Sequence, residues 1–148
     1  GSLEKRTHEG GKPMNKVTKI NHIGIVVPDI EKSLKFWQDI LGIQLDYTEN
    51  VPSMDLELAW LPVGKTRIEL LKPTSEVGNE YHDFLSTCGP GVHHICFEVE
   101  DITEMVHRLK ENHIHLKNDE PVELPGRKVV FLDPLDADGV IVELYELT

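Results

Sequence analysis

Residues 21–30 read NHIGIVVPDI, and residues 93–102 read HHICFEVEDI. Superposed at an offset of 72, His, Ile, Val, Asp and Ile recur at matching places. Strict alternation puts His22, Gly24 and Val26 on one strand face, opposite Ile23, Ile25 and Val27. In the second segment His94, Cys96 and Glu98 oppose Ile95, Phe97 and Val99. The apolar faces are expected under helices, which leaves the histidine faces turned towards a cleft. Each segment then runs into a helical period: Ile30, Leu34, Trp37 and Leu41 after Asp29, and Ile102, Val106 and Leu109 after Asp101. Both aspartates stand at N-cap positions, Glu104 completes a capping box in the second copy, and Gly42 ends the first helix.

The closing segments correspond as well. Residues 66–71 read TRIELL and residues 140–145 read VIVELY, each with one Glu inside an apolar strand pattern. LELAWLPVG (56–64) and KVVFLDPLD (128–136) precede them and read as strands ending in turns. The repeat is therefore strand-helix-strand-strand-strand, over about 18–72 and 91–146. The connection, residues 73–90, is expected to carry a short helix using Tyr81, Phe84 and Leu85. The expected fold is α+β: two βαβββ modules forming one curled mixed sheet in a single domain over 14–148.

Composition narrows the function classes. The 148 residues carry 15 basic and 26 acidic side chains, a formal charge of −11. That balance argues against nucleic acid and anionic membranes as partners, because phosphate neutralisation needs a basic surface. No apolar run approaches the ~20 residues of a membrane span. The cysteines, Cys88 and Cys96, make neither a disulfide framework nor a CxxC motif, and free thiols suit the cytoplasm. Residues 1–13 are polar and without period, with Gly1-Ser2 reading as a cloning remnant and Met14 as the expected start.

Four polar residues occupy duplicated positions: His22 and His94 on the opening strands, Glu69 and Glu143 on the closing ones. A single histidine or carboxylate on a strand is ordinarily structural. A carboxylate within an apolar strand is costly unless paired or coordinated, and here the pattern occurs twice. Two carboxylates and two imidazoles at related sites form a plausible cage for one divalent cation, with imidazole suiting Zn, Co, Ni or Fe over Ca or Mg.

With these segments in place the chain resembles the vicinal oxygen chelate superfamily, and within it the methylmalonyl-CoA epimerase branch. The resemblance rests on NHIGIVVPDIEKSLKFWQDILG (21–42), GKTRIELLKP (64–73), FLSTCGPGVHHICFEVEDI (84–102), KVVFLDP (128–134) and DGVIVELYE (138–146). It implies one divalent metal per chain (Zn, Co, Ni or Mn) held by His22, His94 and Glu143, with Glu69 as fourth ligand. His94 is chosen over His93 because it is in register with His22, which leaves His93 structural. The implied substrate is a small acyl thioester such as methylmalonyl-CoA, and the implied assembly is a homodimer.

The resemblance further implies abstraction of the α-proton, with Glu143 as one base. Glu57, in LELAWLP, is the candidate for the second, on a strand expected to face the site. Cys96 is read as a small pocket-lining residue. Arg67, Lys72, Arg127 and Lys128 are read as surface charge, with a coenzyme A phosphate as the alternative partner. His82, His107, His113 and His115 lack duplicated counterparts and are read as surface residues. A glyoxalase I-type lactoylglutathione lyase is the alternative enzyme, using the same quartet. A non-catalytic small-molecule-binding protein of this fold is the alternative without catalysis.

Overall fold

The computed structural model describes residues 15–148, so the expected tail and start at residues 1–14 lie outside the described residues. The first half runs β1 (Val17–Val26), α1 (Ile30–Leu34), β2 (Tyr47–Val51), β3 (Leu56–Val63) and β4 (Thr66–Pro73). After the connecting helix α2 (Glu80–Cys88), the order repeats as β5 (Gly91–Val99), α3 (Ile102–Glu111), β6 (Val122–Leu124), β7 (Arg127–Phe131) and β8 (Ile141–Leu147). All eight strands join one sheet in the order β2-β3-β4-β1-β5-β8-β7-β6. β1 lies parallel to β4 and β5 parallel to β8, while β1 and β5 meet antiparallel at the centre. The result is the α+β mixed sheet expected, curled into a half-barrel.

The alternation of the strands sorts the two faces. Ile25, Ala59, Leu61 and Leu70 pack against Ile30, Leu34 and Trp37 on one side of the first half. Val130, Leu132 and Leu144 pack against Ile102, Met105 and Val106 in the second. Leu61, Leu70 and Ile102 are fully buried, each contributing about 1.5–3 kcal/mol relative to exposure. The connecting helix adds Tyr81, Phe84 and Leu85 to a cluster with Val26, Leu56, Leu58 and Leu71, as its spacing predicts.

Two local expectations need correction. The first helix is α-helical only to Leu34 and then widens into a π-helical segment, Lys35–Ile40. That wider turn advances each residue less, so Leu41 rotates off the buried stripe and is exposed. Gly42 still closes it, at φ 80°. In the second copy Asp101 caps α3 through the Glu104 amide at 3.1 Å. The reciprocal half of the capping box is absent. The Asp101 amide donates instead to Asn15 Oδ1 at 3.1 Å, and Glu104 turns to Arg108 at 3.8 Å.

Candidate metal centre

The pairing of the four central strands builds the site. Register aligns Glu69 with Gly24 and Gly24 with His94 in one row, and His22 with Cys96 and Cys96 with Glu143 in the next. The rows are related by the duplication: His22 answers His94, Gly24 answers Cys96, and Glu69 answers Glu143. Each histidine thus faces a small residue of the other half. A Cβ on Gly24 would lie 2.2 Å from His94 Cε1, so only glycine leaves room for that ring.

The four expected residues converge. His22 Nε2 lies 3.2 Å from His94 Nε2, 3.3 Å from Glu143 Oε1 and 3.7 Å from Glu69 Oε1. His94 Nε2 lies 3.2 Å from Glu69 Oε1 and 3.6 Å from Glu143 Oε1. All four are buried, with exposures of 1% for His22, 6% for Glu69, 5% for His94 and 7% for Glu143. Among the described residues no lysine or arginine approaches either carboxylate within 4.0 Å, and Glu69 Oε1 is buried without a hydrogen bond. Buried carboxylates of this kind call for a cation. A set of two imidazoles and two carboxylates fits a borderline divalent metal.

The residue before each histidine orients it. His22 Nδ1–H donates to Asn21 Oδ1 at 2.7 Å, which leaves the Nε2 lone pair turned into the centre. Asn21 Nδ2 donates to Glu98 Oε2 at 2.9 Å, and Lys19 pairs with that oxygen at 3.3 Å. His93 stands at the equivalent position, with Nδ1 2.9 Å from His94 Nδ1. Burial against Tyr81 and Phe84, then the neighbouring His94 and Lys117, lowers the His93 pKa to about 4. His93 is therefore a neutral acceptor for His94. Burial alone would lower the His94 pKa, but the nearby carboxylates of Glu69 and Glu143 outweigh it and raise it.

Cys96 is fully buried beside His22 and Glu143. Burial and then the Glu143 charge push its thiol well up, so it stays protonated next to that carboxylate. The aromatic walls escaped the sequence reading. Trp60 and Tyr145 stand edge-on to His22, with ring centroids at 5.3 and 5.5 Å. Tyr145 follows Glu143 by two, so strand alternation already placed it on the same face. Arg127, read as surface charge, lines the cavity of about 160 Å³ over the quartet, with Leu56, Leu58 and Phe131.

Glu57 does not join the site. Leu56 and Leu58 line the cavity, so the residue between them points to the other face of β3. There it pairs with Lys72 at 3.8 Å, with side-chain exposures of 41% for Glu57 and 39% for Lys72. The carboxylates that line the cavity are Glu69 and Glu143.

Residues 21–131 match the model of the Glyoxalase/Bleomycin resistance protein/Dioxygenase superfamily. The chain is 34% identical over 146 residues to the mitochondrial methylmalonyl-CoA epimerase of Mus musculus, covering 98% of this chain and 82% of that protein. It is 35% identical over 134 residues to an ethylmalonyl-CoA/methylmalonyl-CoA epimerase of Cereibacter sphaeroides, covering 88% and 99%. A solved Streptomyces coelicolor methylmalonyl-CoA epimerase, in complex with 2-nitronate-propionyl-CoA, superposes with a TM-score of 0.79 at 28% identity, over 90% of this chain and 96% of that one. The chain belongs to the glyoxalase/bleomycin resistance protein/dioxygenase superfamily, in its methylmalonyl-CoA epimerase family.

Proposed function

We propose that this chain epimerises methylmalonyl-CoA at the α-carbon, with one divalent metal ion held by His22, Glu69, His94 and Glu143. The observation that carries the reading is the convergence of this buried quartet from four strands of both halves. When bound, the metal supplies a Lewis acid that stabilises negative charge growing on the substrate oxygens. The donor set supports Zn, Co, Ni or Mn. Asn21 and His93 hold the two imidazoles in place, while the aromatic and aliphatic walls limit water at the reacting carbon.

Epimerisation removes a proton from one face and returns one to the other, which calls for two bases on opposite sides. With Glu57 on the outer face, Glu69 and Glu143 take these roles. They stand on β4 and β8, on either side of the two histidine strands. Cys96 keeps Glu143 company as a neutral neighbour and takes no proton itself. The thiols support a reducing compartment, as a cytoplasmic location requires. No helix among the described residues is long and apolar enough to cross a membrane. Exposed Phe36, Ile40 and Leu41 offer an apolar surface for a homodimer.

The test is deuterium exchange from solvent into each methylmalonyl-CoA epimer, beside a hemithioacetal isomerisation assay. The wild type is expected to exchange both epimers, and only with metal added. Glu69→Gln and Glu143→Gln are each expected to retain exchange of one epimer without inversion, and of opposite epimers. Turnover confined to the hemithioacetal would overturn the reading in favour of the lyase.

A further inference from the structure

A second cavity, of about 510 Å³, continues the concave face beyond the metal centre. Leu58, Glu69, Arg127 and Tyr145 line both spaces, so the two are contiguous. The outer one holds two arginines, Arg67 from β4 and Arg127 from β7, which belong to opposite halves of the curled sheet. The chain is strongly acidic, yet among the described residues neither guanidinium has a carboxylate within 4.0 Å. Each lies instead against an aromatic ring: Arg67 Cζ is 4.0 Å from the Trp60 centroid, and Arg127 Cζ is 5.4 Å from that of Tyr145. Arg127 Nε is buried with no hydrogen-bond partner, while its Nη1 donates to Pro125 O at 3.0 Å. Glu49, in the same cavity, is engaged by the Trp60 indole N–H at 3.2 Å.

Stacked arginines keep their charge and have their donor forks held in place, at little entropic cost on binding. A buried donor with no acceptor marks the place of an absent one. We propose that Arg67 and Arg127 form a two-sided clamp for the pyrophosphate of a coenzyme A thioester whose acyl end lies over the metal centre. This rests on the acyl-CoA reading above. It also answers how an acidic protein attracts a polyanionic substrate: the cations are few, but they are held in the trough and, among the described residues, have no carboxylate within 4.0 Å. Charge-assisted, bidentate contacts are the strong form of the bond such a site makes.

The experiment is calorimetric titration of the purified full chain with free coenzyme A and with pantetheine, which lacks the phosphates. The wild type is expected to bind coenzyme A at least roughly tenfold tighter than pantetheine, an advantage that shrinks with added salt. Arg67→Gln and Arg127→Gln each cut that ratio severalfold, and the double variant brings it close to one. Lys35→Gln, which removes one exposed charge from the helical surface, leaves it unchanged. The double Arg→Lys variant keeps only part of it, because the charge stays while the planar fork and its stacking are lost. Equal wild-type binding of the two compounds, or a ratio that survives in the double Gln variant, overturns the clamp. Coenzyme A bound through the arginines without epimerisation sinks the reaction and leaves the clamp standing.

Discussion

Gly24 and His94 stand opposite each other across the β1–β5 pairing, and the ring fills the space where a Cβ on residue 24 would lie, 2.2 Å from Cε1. Gly24 has no left-handed backbone to accommodate, and the nearest atoms an alanine would meet there are those of the imidazole. Gly24→Ala is expected to displace His94 and lower bound metal, measured by elemental analysis, to well below one ion per chain. The fold should survive at a cost of about 1–3 kcal/mol, the usual range for overpacking. A variant with full metal content and unchanged melting would show that the ring has another seat.

Asn21 and His93 make the same use of the residue preceding a ligand, each offering an acceptor to Nδ1 of the next histidine. Replacing either by leucine removes that acceptor and frees the ring to turn. Metal affinity is expected to fall about 10–100-fold in each variant. His93→Asn, which restores an acceptor, should recover most of it. Chelator competition reads both. An unchanged affinity in the leucine variants would reduce the pair to packing.

The two thiols differ in every property that governs reactivity. Cys88 is exposed at the end of α2, whereas Cys96 is buried and its thiol is pushed far up by burial and by Glu143. A disulfide reagent at pH 8 is expected to label Cys88 within minutes in the native protein. Cys96 should react only after denaturation. Native labelling of both thiols would mean that the central strands open far more readily than their burial implies.

His115 donates both its backbone N–H and its Nδ1–H to Asp136 Oδ2, each at 2.8 Å, and these bonds hold the Asp136 carboxyl below its ordinary value. A lowered folded-state pKa stabilises above the unfolded value and is lost as pH falls through the folded one. Asp136→Asn is expected to melt lower than wild type at pH 6, with the difference closing below about pH 4. A gap that persists in acid would assign the effect to the loop backbone.

Duplication made the centre legible. His22 and His94, Glu69 and Glu143 were found because each stands on a strand of alternating pattern at a position occurring twice, and period two fixes the face. Asn21 and His93 were not, because alternation turns a preceding residue to the opposite face. The register shift between Ile20 and His22 breaks that rule in β1. Arg127 lies on a short strand whose pairing with β6 and β8 is a tertiary matter, and nothing local marks it as lining a cavity. The π-helical widening after Leu34 likewise depends on how the chain meets the sheet.

Glu57 shows the same limit from the other side. It sits between Leu56 and Leu58, and a reading that placed it on the site face needed a register one residue away from the one β3 adopts with β4, where Glu57 meets Lys72. A one-residue slip exchanges the faces of a whole strand, and burial of Leu56 and Leu58 decides against it. Glu57→Gln is therefore expected to keep metal content, and kcat and KM within about twofold of wild type. Its stability should change by less than about 1 kcal/mol, as for other exposed ion pairs. Loss of epimerisation with metal retained would return Glu57 to the mechanism and require the strand to shift by one residue when substrate binds.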